Sequence, residues 1–234
     1  MSDKHLSSQF DADLNALSTH LMEMGGLVES QVATAMKAFS TLDRDIADQV
    51  IRNESEVNNY EINIDAECAE LLARRQPTAR DLRLVMAVSK AITNLERAGD
   101  EADRIARRIK HIVEDSAAHV INVAEIKLSG QMAVALLRRS LDAFARLDSK
   151  AAAEIVEDDR QIDEEFRGFV RKLISYMSED PRIISVALEL LFIAKAVERI
   201  GDHAKNIAEF VIYVAKGTDV RHLPREELSK EANK

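Results

Sequence analysis

Chain-breaking residues are scarce in this sequence. It holds seven glycines and three prolines in 234 residues, about a third of the share in an ordinary globular domain. An all-β fold needs turn residues every ~8–12 positions, and a doubly wound α/β fold is disfavoured for the same reason. What such a chain can build is long helices joined by few, short loops. Hydrophobic residues at 46% supply ample material for a core.

Charge and cysteine narrow the setting. Lys and Arg number 32 against 41 Asp and Glu, a net charge of −9, so neutralising nucleic-acid phosphates is a poor use for the surface. A lone Cys68 permits no intrachain disulfide and fits a reducing, cytoplasmic compartment. The N-terminus, MSDKHLSSQFDADL, lacks the apolar stretch of a signal peptide. The most apolar run, Ile183 to Val197, contains Glu189 and Lys195 and is too short to span a bilayer.

Capping chemistry divides the chain into helices. Leu14, Leu17, Leu21, Met24, Val28, Val32 and Met36 recur every three or four positions, which predicts a first helix from about Leu6 to Phe39. Asp43 can cap a second helix, about Asp45 to Arg75, which Pro77 stops. Thr78 with Asp81 resembles a capping box opening a third, about Ala79 to Val113. A fourth is expected from about Val120 to Leu147. A fifth, capped by Asp148, runs from about Lys150 to Met177. A sixth enters through Asp180-Pro181 and stops at Gly217 after about Ala215. The polar tail from Thr218 is expected to fray.

The two halves are copies. An offset of 105 places Gly25 on Gly130, Phe39 on Phe144, Leu42 on Leu147 and Asp43 on Asp148. It also places Glu54 on Asp159, Val57 on Ile162 and Asn58 on Asp163. Past the Pro-containing turns the offset becomes 102, and Glu96-Arg97-Ala98-Gly99-Asp100 falls on Glu198-Arg199-Ile200-Gly201-Asp202. The expected architecture is therefore all-α: two tandem, pseudo-symmetric three-helix bundles of six long helices. The repeats cover residues 1–115 and 116–217, with residues 218–234 as the tail.

The duplicated ERxGD turn carries the chemistry. Glu96 and Asp100, like Glu198 and Asp202, are one turn apart on one helical face. Like charges at that spacing cost about 0.2–0.5 kcal/mol, and a mid-helix Gly costs about 1 kcal/mol more. Such a glycine commonly lets another backbone come close. Two carboxylates on successive turns suit a hard divalent cation. Facing helices can add Glu54 and Asn58 in the first half and Asp159 and Asp163 in the second, with Glu61, Asp65 and Asp103 nearby. The competing reading is a solvated acidic face neutralised by Arg97, Arg104 and Arg199. His203 has Glu101 as its counterpart and stands outside the shared pattern. Arg104, Arg107, Arg108, Lys110 and His111 fit the C-terminal end of a helix dipole better than an anion site. An alternative is a carboxylate-bridged di-iron oxidase, but none of the six histidines follows a Glu by three positions.

With these residues in hand, the chain resembles the PhoU family of accessory regulators of bacterial phosphate-specific transport. The resemblance rests on RQPTARDLRLVMAVSKAITNLERAGDEADRIA (Arg75 to Ala106), LFIAKAVERIGDHAKNIAE (Leu191 to Glu209), AFARLD (Ala143 to Asp148) and RHLPREELSK in the tail. It implies two repeated three-helix bundles and divalent metal ions (Mg, Mn, Fe or Zn), sometimes clustered, held by E(D)xxxD motifs. By position these are Glu96, Asp100, Glu198 and Asp202, with Glu54, Asn58, Asp159 and Asp163 as partners. Two departures are Glu54, where the family often has Asp, and Ala98, where it often has Ile. The resemblance further implies a cytoplasmic homodimer without catalytic activity. It would restrain the Pst ABC transporter at its ATPase component and keep the sensor histidine kinase PhoR from signalling phosphate starvation. No nucleic acid and no membrane insertion are expected.

Overall fold

The computed structural model describes residues 8–113 and 121–234. Among them lie seven α-helices: α1 (Ser8–Thr41), α2 (Arg44–Arg75), α3 (Ala79–Val113), α4 (Ala124–Arg146), α5 (Ser149–Glu179), α6 (Ile184–Lys216) and α7 (Arg225–Ala232). The expected starts at Leu6 and Val120 lie outside the described residues.

The caps follow the sequence. Asp43 accepts from the amides of Asp45 and Ile46, and Asp148 from those of Lys150 and Ala151. Asp180 accepts from the Arg182 amide at the head of a 3-10 turn, Pro181–Ile183, that leads into α6. Gly217 ends α6 at φ 82°, a conformation that costs a side-chain-bearing residue more. At the head of α3 the Asp81 and Leu82 amides donate to the Thr78 carbonyl. α4 starts at Ala124, where the Asn122 side chain accepts the first amide.

The repeats share one core rather than keeping two. α2 packs on α1 and α3, and α5 on α4 and α6; between the repeats, α1 packs on α4 and α3 on α6. The α1–α4 contact is reciprocal. A Cβ on Gly25 would come within 2.5 Å of Leu141 Cδ2, and one on Gly130 would run into Met36. Met36 and Leu141 are themselves images under the 105-residue offset, so the duplication has become a pseudo-two-fold interface.

α3 and α6 run antiparallel along a polar seam. Asn94 Oδ1 accepts from Asn206 Nδ2 at 3.0 Å and lies 3.1 Å from His203 Nδ1. Buried Glu101 takes Arg104 at 2.7 Å and Arg199 at 2.9 Å. The seam's two ends are images with roles exchanged: Arg108 stacks over Phe192 at 4.4 Å, and Lys90 lies over Phe210 at 5.8 Å.

The tail corrects one expectation. Instead of fraying, it covers the Phe210 end and forms α7 against α5 and α6. Val220, Leu228 and Ala232 are buried, and Ser149 Oγ donates to the Ala232 carbonyl at 2.8 Å. Three well-spaced apolar residues anchor a segment whose composition reads as solvent-loving.

Candidate metal-binding faces

α2 and α3 are antiparallel, which the Lys110–Asp48, Arg107–Glu54 and Ser89–Asp65 contacts align end to end. This brings most of the predicted residues of the first repeat onto one face. Glu54 lies under the influence of Asp100 and Asp103, and Glu96 under that of Asp100, Glu61 and Glu54. Burial, then these neighbouring charges, push both glutamates above the usual carboxylate range. Arg107 is the nearest compensation, 2.6 Å from Asp103 and 3.8 Å from Glu54. It leaves Asp103 Oδ1 buried without a hydrogen-bond partner among the described residues. Among the described residues, Glu96 and Asp100 form no ion pair. Asn58 sits half-buried one turn beyond Glu54 and bonds none of these acids. No three of the described His, Cys, Asp or Glu side chains converge in a ready-made metal cage. The face is a concentration of oxygen donors with excess negative charge.

The corresponding face of the second repeat is built differently. Asp159 is 1% exposed. Its carboxylate presses against α6 where Gly201 makes room; a Cβ there would sit 2.9 Å from Asp159 Oδ1 and 2.9 Å from Ile162 Cδ1. At Gly99 the equivalent Cβ would meet Gln31 Oε1 at 3.3 Å and Val57 at 3.4 Å. The glycines thus admit side chains of α1 and α2 in the first repeat and of α5 in the second, not another backbone. Lys205 Nζ donates to Asp159 Oδ2 at 2.9 Å and to Asp202 Oδ1 at 2.5 Å. Burial pulls that ammonium down, but the Asp202 and Asp159 carboxylates more than offset it and hold it well above the usual lysine range. Glu198 is held by Lys195 at 2.6 Å, and Asp163 lies 3.7 Å from Arg167. The donors predicted for a second cation, Asp159, Asp163, Glu198 and Asp202, all carry basic partners.

Lys205 is absent from the predicted set. It was legible, because the 102-residue offset aligns it with Asp103, a charge reversal inside the repeated pattern. The neutralising arginines also act elsewhere than expected: Arg104 and Arg199 clasp Glu101, not the ExxxD acids. Nor is the α3 basic cluster a simple dipole complement, since Arg107, Arg108 and Lys110 each pair with a carboxylate. His203 belongs to the seam with Asn94, and burial followed by Arg199 pushes its imidazole down to about 4.

Fold and faces define a class, the tandem three-helix-bundle proteins with an acidic ExxxD turn in each repeat. Residues 21–109 and 126–211 match the PhoU domain family. A phosphate-specific transport system accessory protein PhoU homolog from a Burkholderia species is 53% identical over 99% of both chains. The accessory protein PhoU of Escherichia coli K12 is 44% identical over 97% of this chain and 94% of its own. The crystal structure of PhoU from Pseudomonas aeruginosa superposes with a TM-score of 0.87 at 43% identity, covering 89% of this chain and 100% of that one. The chain belongs to the PhoU family. These relatives are named for an accessory role rather than an enzymatic one, which removes the ground for a di-iron oxidase.

Proposed function

We propose that this chain is a cytoplasmic regulator of phosphate homeostasis that restrains the Pst transporter at its ATPase component and keeps PhoR silent while phosphate is plentiful. The observation that carries this reading is the full-length agreement with relatives named as accessory proteins of phosphate-specific transport. Two features fit action through protein partners. No described helix is long and apolar enough to cross a membrane. Ile184, Leu188 and Phe192 also stand exposed at successive turns of α6, an apolar stripe available to a partner or to a second copy in a homodimer.

Metal belongs to the same reading, at the face formed by α2 and α3. Glu54, Glu96 and Asp100 would hold a divalent cation, with Asp103 beside them and Asn58 as a neutral oxygen donor. The all-oxygen set suits Mg²⁺, Mn²⁺ or iron better than Zn²⁺. The cation would supply the charge these acids lack and tie α2 to α3.

Deleting the gene in the source bacterium and reading a starvation-controlled phosphatase at high phosphate tests the regulatory role. The reporter is expected to switch on, and continued silence overturns the role. Calorimetric titration with Mn²⁺ tests the site. Glu96→Gln with Asp100→Asn is expected to weaken binding at least tenfold with helicity intact, and unchanged affinity removes the assignment.

A further inference from the structure

We infer that Lys205 is the internal cation of the second repeat, standing where the first repeat is open to a metal ion, so that the chain has one metal-binding face and not two. The inference rests on the metal reading of the first face only for its comparison; the second face carries its own observations.

First, position. Lys205 is the image of Asp103 under the 102-residue offset, and both lie one turn beyond the ExxxD acids, facing the neighbouring helix. Second, geometry. One ammonium bridges a carboxylate of α5 and a carboxylate of α6, at 2.9 Å and 2.5 Å, the role an ion between the two helices would play. Third, burial. Asp159 is 1% exposed, and a carboxylate so enclosed requires a partner to stay ionised. Its image Glu54 is longer and partly open, and among the described residues pairs only with Arg107, at 3.8 Å.

The exchange extends one turn further. In the first repeat Asp103 is followed by Arg107; in the second Lys205 is followed by Glu209. The acid–base order is reversed, so the same two charges are present but the positive one has moved inward. Arg107 sits at the rim and leaves Asp103 Oδ1 without a partner among the described residues. Lys205 sits among the acids and satisfies two of them. An arriving metal ion would have to displace an ammonium that cannot leave, and would meet its positive charge. Lys195 on Glu198 adds a second cation to the same face.

The test uses the full chain and Mn²⁺. Glu198→Gln with Asp202→Asn, Lys205 in place, is expected to leave bound Mn²⁺ unchanged. In a Glu96→Gln, Asp100→Asn background, which silences the first face, Lys205→Asp is expected to create Mn²⁺ uptake that Asp159→Asn abolishes. Without metal, the same Lys205→Asp chain is expected to melt roughly 10 °C lower, and Mn²⁺ to restore most of that loss. If Lys205→Asp does not fold, Lys205→Gln supplies the same readouts at lower electrostatic cost. Loss of Mn²⁺ on changing Glu198 and Asp202 while Lys205 is present overturns the inference. So does a folded Lys205 variant that neither takes up Mn²⁺ nor is stabilised by it. Absence of Mn²⁺ from the unchanged chain would sink the first-face reading alone, because the Lys205 variants are read where that face is already silent.

Discussion

The two ends of the α3–α6 seam started as copies and now differ in what lies over them. At one end Phe210 is 5% exposed, with Lys90 on one side and Arg221 of the tail 6.0 Å from its ring. At the other, Phe192 is 48% exposed under Arg108, beside an open groove of about 410 Å³ lined by Arg104, Lys195 and Arg199. The pseudo-two-fold pairs Lys90 with Phe192 and Phe210 with Arg108, so each end keeps one aromatic and one cation, but among the described residues the tail covers only the Phe210 end. Duplication therefore fixes where a side chain is placed, while burial and charge at that place are set by what the chain adds later.

The largest effect follows from this contrast. Phe210→Ala should cost about 3–5 kcal/mol, as for a buried aromatic truncated to Ala. Phe192→Ala should cost under about 1 kcal/mol. Urea denaturation of the two variants measures both, and equal losses would mean that the tail does not cover Phe210.

The Asp103–Arg107 and Lys205–Glu209 exchange gives a pH signature. Burial pushes Glu209 up to about 7, with Lys205 and Arg221 opposing. Its proton is held in the folded chain and released from the unfolded one between about pH 4.5 and 7. Stability contributed by this group is therefore present at low pH and lost as pH rises through that window. Glu209→Gln should flatten the window and leave the variant more stable than the parent at pH 8, by about 2 kcal/mol. Arg107→Gln, its image, should produce no such slope difference. Thermal melts at pH 5, 6, 7 and 8, read as variant minus parent, decide it.

The paired glycines separate the two faces by packing alone. Gly201→Ala drives a methyl into Asp159 and Ile162 and should cost about 1–2 kcal/mol net, overpacking outweighing the helix-propensity gain. Gly99→Ala meets at 3.3 Å the amide oxygen of Gln31, the end of a flexible side chain that needs to give by only a few tenths of an ångström, and should be neutral or stabilising by up to about 1 kcal/mol. Chemical denaturation that gave the two substitutions the same sign would mean the faces pack alike.

The helices were legible because their signals are local. Asp43, Asp148, Asp180 and Gly217 cap where capping chemistry puts them, and the 105- and 102-residue offsets carry the pseudo-symmetry. Glu54, Glu96 and Asp100 were legible as neighbours for the same reason, since helix period and antiparallel pairing suffice to bring them together. The partners were not. That Arg104 and Arg199 clasp Glu101 depends on how α3 crosses α6, which no periodicity encodes. That the tail folds depends on Val220, Leu228 and Ala232 finding a surface on other helices. Lys205 lay between these cases: the offset exposed its charge reversal, but only its burial against Asp159 gave the reversal a meaning.

The smallest effect bears most directly on the difference between the faces. Without metal, Glu96 faces Asp100, Glu61 and Glu54 and is held above the usual range first by burial and then by their charge, so its ionisation opposes folding. Glu96→Gln should therefore stabilise the metal-free chain, by a few tenths of a kcal/mol after solvent screening. Glu198, its image, is paired with Lys195, so Glu198→Gln should destabilise by a similar amount. Opposite signs from the same substitution at equivalent positions would establish that one face lacks a positive charge and the other already contains it. Adding Mn²⁺ should then reverse the order at Glu96 alone, since the ligand stabilises only the chain that can bind it. Calorimetric melts of both variants with and without the ion make that comparison, and a Glu198→Gln loss that deepens on adding Mn²⁺ would place the ion on the wrong face.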